Sequence, residues 1–228
     1  MLNISYIIPL ICFWITIKNV ISKYKHELIS NNIVSTIHCL LFIACYNYNY
    51  DLYYTVHMSI GFYIFDLIFI LSSIYNNWKF QLVQNKFTRY LPFIIHHIIS
   101  FYLLNASFQN ENKELILYGY NILETSNIMI YITYHLHKEY ANYLTLNIIS
   151  EFIQLLWYSY FRIIQFSLFI YYNKIQFFNF CLVTQLFISG LYFMGVLWSY
   201  KLLKKNIKNY TTLKELYCYK SIDSKLND

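Results

Sequence analysis

Apolar segments of helix length follow one another along nearly the whole chain, separated by short polar stretches. We place seven of them, at about 3–20, 30–48, 54–75, 90–107, 114–134, 148–171 and 177–200. A helix needs about 20 largely apolar residues to cross a bilayer, and these segments approach or reach that length. Only 12% of the 228 residues are charged, less than a soluble domain of this size carries. The sequence therefore predicts an all-α fold, a polytopic transmembrane helical bundle with about seven spans.

The basic residues fall mainly on one side of these predicted spans. Seven crossings put the termini on opposite sides, and a cytosolic C-terminus places fourteen Lys and Arg residues inside and two outside. That bias predicts a cytosolic C-terminus. We divide the chain into a first helix with a basic loop (1–29), a six-helix membrane domain (30–203) and a basic cytosolic tail (204–228). No basic-aromatic stripe lies in a soluble region, so we expect no nucleic-acid partner.

Ionisable residues nevertheless occur inside the predicted spans. They are His38, Asp66, His96, His97, Glu124, Glu151 and Arg162. Each costs at least ~2.5–3.5 kcal/mol at the centre of a membrane helix, so these side chains must face one another or a wet cavity. Polar stripes at helical spacing accompany them: Tyr63 with Asp66; Tyr120, Glu124, Asn127 and Tyr131; and Glu151, Gln154, Tyr158, Arg162 and Gln165. The pattern predicts an interior chamber lined by polar side chains.

The adjacent pair His96 and His97 has a geometric consequence. Successive helical residues point about 100° apart, so the two rings must meet different surroundings. We expect one imidazole to face the chamber and the other to be held between helices by a carbonyl or a carboxylate. The alternative for all these groups is structural, because intramembrane polar side chains also join helices by hydrogen bonds.

A metal centre is not expected. The histidine pairs are His96 with His97 and His135 with His137, whereas membrane di-iron hydroxylases require several HxxxH and HxxHH boxes, which do not occur. The five cysteines form no CxxC pair. We therefore expect no metal and no bound cofactor.

Five short motifs occur in a defined order. They are "SNNIVSTIHCL" with Ser35 and His38, "SIGFYIFDLIF" with Gly61 and Asp66, "FIIHHIIS" with His96 and His97, "LETSNIMIYITYHL" with Glu124, Ser126 and Asn127, and "SYFRIIQF" with Arg162. In order and rough spacing, over about residues 30–203, they resemble the TLC-domain family of multi-pass membrane proteins, which includes translocating-chain-associating proteins and ceramide synthases. The region "NILETSN" lacks the His-Asp-x-x-Asp segment of ceramide synthases, so the chain is more similar to the small TLC-domain proteins.

The resemblance implies a role in sphingolipid-type membrane lipid metabolism or in the regulation of lipid composition. It also implies membrane lipids as partners and the endoplasmic reticulum as the membrane, or a host membrane if the chain is viral. A homo-oligomer is left open.

Two classes of mechanism fit these residues. The first is N-acyl transfer from acyl-CoA, as substrate, to a long-chain amine, with His96 or His97 as base or nucleophile and Asp66 orienting the imidazole. His38, Glu124, Asn127 and Arg162 would then line the substrate chamber. The second class is non-catalytic: the same chamber binds or senses a lipid, or the protein chaperones membrane segments.

Overall fold

Helices form every regular element of residues 4–79, 86–108 and 113–226, which are the residues described by the computed structural model. They are α1 (Ile4–Ser22), α2 (Glu27–Asn47), α3 (Leu52–Lys79), α4 (Lys86–Ser107), α5 (Lys113–Glu139), α6 (Leu144–Ser159), a π-helical segment (Tyr160–Gln165), α7 (Phe166–Tyr172), α8 (Lys174–Asn179) and α9 (Leu182–Leu226). The prediction of an all-α fold is confirmed for the described part of the chain.

Four helices within the described residues are long and apolar enough to cross a membrane. Their candidate spans are Ile4–Ser22, Ile29–Asn47, Leu52–Tyr75 and Leu182–Thr211. Helix α9 has 45 residues, or roughly 68 Å at 1.5 Å per residue, which exceeds a hydrocarbon core of about 30 Å. It also continues as one helix across the predicted boundary between residues 203 and 204.

Helix α5 lies at the centre of the bundle and packs against α2, α4, α6, the π segment and α7. Side chains of its neighbours donate hydrogen bonds to its backbone: Asn32 Nδ2 lies 3.0 Å from the Tyr131 carbonyl oxygen. In return, the Thr133 hydroxyl donates to the Ser150 carbonyl of α6 at 3.2 Å. Interhelical hydrogen bonds of this kind join helices where apolar burial alone gives little preference.

The outer surface of the bundle is apolar where the interior is polar. On α6, Phe152 and Leu156 are 52% and 56% exposed, whereas Glu151, Gln154 and Tyr158 on the other face are buried. A water-soluble protein rarely exposes extended apolar surface of this kind. The reversed distribution indicates that the surroundings of this helix are apolar.

The π segment changes the polar stripe of α6. Arg162 continues the buried face four residues after Tyr158, and Phe166 takes the next buried position. Gln165, predicted to extend the stripe, instead is only half-buried and donates to the Tyr160 hydroxyl at 2.5 Å. A π turn holds more residues than an α turn, so the four-residue steps from Tyr158 to Arg162 and from Arg162 to Phe166 stay on the buried face. The prediction that Gln165 extends this face is therefore wrong.

An exposed ion pair joins the α1–α2 loop to the end of α5. Lys25 Nζ lies 2.8 Å from Glu139 Oε1. The Lys25 hydrogen bond lowers the pKa of Glu139 below its ordinary value. The pair therefore stabilises the folded protein at pH values above the unfolded-state pKa of Glu139. This stabilisation is lost as the pH falls through the lowered folded-state pKa. Its exposure keeps the contribution small.

Helices α1 and α3 approach closely at Gly61. A Cβ atom at Gly61 would stand 2.8 Å from the Cβ atom of Leu10, which is fixed to the α1 backbone and cannot rotate away. At Gly190 of α9, by contrast, the nearest atom to an added Cβ is Ile99 Cδ1 at 4.0 Å, an ordinary contact. The absence of a side chain at Gly61 is thus a condition for α1–α3 packing.

We expect Gly61→Ala to be less stable than Gly190→Ala. Both variants gain the same helical propensity, so their free energies of unfolding should differ only by the cost of overpacking against Leu10. That cost is about 1–3 kcal/mol. Thermal unfolding of the two purified variants, compared with the wild type, measures it. Equal melting temperatures for the two variants would show that α1 shifts freely away from α3.

Candidate functional site

A cavity of about 490 Å³ lies among α2, α3, α4, α5, α6, the π segment and α9. The structure places all seven predicted site residues in its lining: His38, Asp66, His96, His97, Glu124, Asn127 and Arg162. The volume is within the range of roughly 300–1,000 Å³ that small-molecule sites occupy. Residues from four helices and the π segment therefore meet in one place, although 124 positions separate the first from the last.

His97 and Asp66 form an ion-pair contact between α4 and α3. The His97 Nε2 atom lies 2.7 Å from Asp66 Oδ2, and the His97 ring is 7% exposed. A carboxylate at Nε2 favours the tautomer that carries its proton there, which leaves Nδ1 as an acceptor. Nδ1 is buried and has no hydrogen-bond partner among the described residues.

His96 has different surroundings, as the helical spacing predicts. It is half-buried, lines the cavity and makes no hydrogen bond with the described residues. Its ring centroid lies 5.5 Å from that of His97 and 6.3 Å from that of Tyr63. His97 is thus held between helices by a carboxylate, while the His96 ring has free space beside it.

Glu124 is 2% exposed and accepts a hydrogen bond from the Tyr63 hydroxyl. The pair joins α5 to α3 one turn away from Asp66. The Tyr63 ring also packs against His97, with centroids 5.3 Å apart. Tyr63 therefore links Glu124 to the histidine pair by direct contact.

Arg162 is 5% exposed and binds neutral acceptors on α5. Its Nε donates to the Ser126 hydroxyl oxygen at 2.7 Å, and its Nη2 donates to Asn127 Oδ1 at 3.1 Å. The stem of Arg162 packs on Gly195 of α9, where an added Cβ would lie 3.1 Å from Arg162 Cβ. No carboxylate of the described residues forms a salt bridge with the guanidinium.

His38 forms part of the cavity wall. It is 1% exposed, and its Nε2 lies 3.0 Å from the Ser59 hydroxyl oxygen. One face of its ring is stacked on Phe62, with centroids 4.0 Å apart and planes 7° apart. The edge of Trp14 contacts it from α1. These contacts fix the ring, so His38 presents little free surface to a ligand.

Glu151 does not line the cavity but belongs to a separate polar cluster. Its carboxylate contacts His137 Nε2 at 2.7 Å and Lys205 Nζ at 2.9 Å, and it accepts a hydrogen bond from Asn209. Asn206 donates to the Glu151 carbonyl oxygen at 3.3 Å. The buried carboxylate therefore ties α6 to the end of α5 and to the extension of α9.

Four lining residues of α9 are absent from the predicted site. Trp198 and Lys201 line the cavity together with Met194 and Leu197. The four positions follow the i, i+3, i+4, i+7 spacing of one helix face, which is visible in the sequence. Because Lys201 directly follows the last predicted span, it resembles an ordinary basic residue on the cytosolic side, and this conceals the signal.

No protein-family profile, curated protein or solved structure matches the chain. Among the described residues, no three His, Cys, Asp or Glu side chains are grouped so as to hold a metal ion.

We expect Arg162→Ala to destabilise the protein by about 1–3 kcal/mol, the cost of leaving a buried hydrogen-bond acceptor unsatisfied. Ser126 and Asn127 would both lose a donor, and the space beside Gly195 would be empty. Thermal unfolding in detergent measures the change, with the exposed Lys204→Ala as the control for loss of a positive charge. An Arg162→Ala protein that melts with the wild type would contradict a structural role for this side chain.

Proposed function

We propose that this chain is a multi-pass membrane protein of the TLC type that binds a membrane lipid in its central cavity. It acts in sphingolipid-type lipid metabolism or in the regulation of membrane lipid composition. The observation that carries the proposal is the convergence of seven polar residues, four of them His or Arg, on one cavity within a bundle whose outer surface is apolar. Such a cavity suits an amphiphile, because it offers polar groups inside and apolar helix surfaces around them.

The proposed topology has seven crossings, with α4, α5 and the rod formed by α6, the π segment and α7 added to the four apolar helices. Helix α6 alone has 16 residues and reaches membrane length only with the segments that follow it. Its outer face is apolar, with Phe152 and Leu156 exposed. The charge bias supports a cytosolic C-terminus, and the endoplasmic reticulum is the proposed membrane.

Two pairs of motifs that carry the TLC resemblance contact each other. Asp66 of the third helix meets His97 of the fourth, and Arg162 of the late helix donates to Ser126 and Asn127 of the fifth. These contacts bring residues of four of the five motifs together beside one cavity, and this shared site supports the proposed lipid-related role.

The second candidate is N-acyl transfer, favoured by the His97–Asp66 pair and the unpartnered Nδ1 of His97. In this scheme His97 Nδ1 takes the proton of a long-chain amine as the amine nitrogen attacks the thioester carbonyl of acyl-CoA. The N–C bond forms, the C–S bond breaks, and the CoA thiolate leaves and accepts the proton from His97. Asp66 holds the imidazole and stabilises its cation during the transfer.

We expect an assay with a long-chain acyl thioester and a sphingoid amine to separate these candidates. If the protein catalyses acyl transfer, His97→Ala should lower amide formation by about 100-fold or more, the contribution of a general base. Asp66→Asn should also lower the rate while leaving lipid binding intact. His96→Ala, on the same helix, is the matched control and should retain more activity than His97→Ala. Melting curves for all variants monitor folding.

Wild-type protein that retains lipid but forms no amide would exclude the transferase and leave the lipid-binding function. Wild-type protein that retains no lipid under any condition would contradict both. Lipid profiling of cells that express wild-type protein or the His96→Ala/His97→Ala variant tests the effect on membrane composition.

A further inference from the structure

The cavity opens to the outside between α4 and α9. Among the residues that the structure describes, its exposed lining residues all belong to these two helices: Leu91, Phe93 and Ile95 on α4, and Leu197 and Lys201 on α9. The four apolar ones are between 39% and 60% exposed. The lining residues on the other helices are buried or half-buried. In the described part of the chain, both sides of the opening are therefore apolar, apart from one cation.

That cation is Lys201, one turn after Trp198. The Trp198 ring contacts Phe93 across the opening, with centroids 5.5 Å apart. Lys25 and Lys205 each pair with a carboxylate, but Lys201 has no hydrogen bond or ion pair with the described residues. A Trp and Lys together are typical of the headgroup level of a membrane, where the lysine ammonium binds anionic groups.

The charges inside the cavity also favour an anionic ligand. The two carboxyl groups in its lining already have partners, since Asp66 contacts His97 and Glu124 accepts from Tyr63. Arg162 donates to neutral acceptors and forms no salt bridge with a described carboxylate, and its stem packs on Gly195 of α9. Lys201 lies six residues further along α9, about 9 Å at the helical rise. As far as the described residues show, the α9 side of the cavity is therefore positive and carries no carboxylate.

We propose that the cavity binds an anionic amphiphile, whose carboxylate or phosphate headgroup is held by Lys201 on the positive side of the cavity while its chain lies along the apolar residues between α4 and α9. This inference rests on the proposed lipid-binding function and narrows it to one class of ligand. Lys201 is a specificity-determining residue, because it discriminates by headgroup charge without being needed for the apolar part of binding. Carboxylate and phosphate share this chemistry, and a fatty acid or a lysophosphatidate would supply it.

The test uses the full chain in phosphatidylcholine nanodiscs and three probes of equal chain length: palmitate, palmitoyl lysophosphatidate and neutral monopalmitoylglycerol. Displacement of a fluorescent acyl probe gives each apparent Kd. We expect Lys201→Gln to raise the apparent Kd of the anionic probes about fivefold, which is the effect of one lysine at a membrane surface. The apparent Kd of the neutral probe should not change. Weakening of only one anion identifies the headgroup. Lys201→Arg should restore binding.

Lys204→Gln is the matched control, because Lys204 is exposed, lies one turn further along α9 over the Tyr200 ring, and does not line the cavity. It should change none of the three affinities. Equal effects of the two glutamine variants, an equal loss of the neutral probe, or no effect of Lys201→Gln would each overturn the proposal. In these cases the wild type still binds the probes, so the lipid-binding function stands; failure of all probes to bind the wild type would overturn that function as well.

Discussion

The bundle is organised by the cost of placing ionisable side chains away from water. Asp66, Glu124 and Arg162 lie on three different helices, and each is satisfied by a group from another helix: His97, Tyr63 and the Ser126–Asn127 pair. Removing one partner leaves the other buried without compensation, which costs more than the contact itself contributes. The contacts therefore fix how α3, α4, α5 and the π segment face each other. The cavity is the space that this arrangement encloses.

Much of this arrangement follows from rules that apply to sequence alone. Polar residues recur at helical spacing in Glu124 and Asn127, and again in Glu151 and Tyr158, so one face of each helix had to be interior. The requirement that buried charges meet was sufficient to predict a shared chamber. The different surroundings of His96 and His97 follow from the angle between neighbouring helical residues. These predictions needed no knowledge of which helices are adjacent.

Other features depend on the rotation and height of one helix relative to another, which spacing does not specify. Arg162 reaches neutral acceptors because α5 presents Ser126 and Asn127 at its height. Glu151 is neutralised from outside the cavity because α9 continues as a helix to Lys205 and Asn209. The π segment moves Gln165 out of the buried stripe, and no residue type in "YFRIIQ" predicts a π helix there. Membrane crossing by α4, α5 and α6 likewise stays a prediction.

The central claim is that the cavity holds a lipid, and native mass spectrometry of the purified protein tests it directly. Ile130 lines the cavity, whereas Ile132 on the same helix is 41% exposed on the outer surface. A tryptophan at the first position fills the cavity, and one at the second adds the same bulk outside it. We expect the wild type and Ile132→Trp to carry a stoichiometric lipid through gentle detergent removal, and Ile130→Trp to carry none. Equal lipid retention by Ile130→Trp and Ile132→Trp would contradict the account.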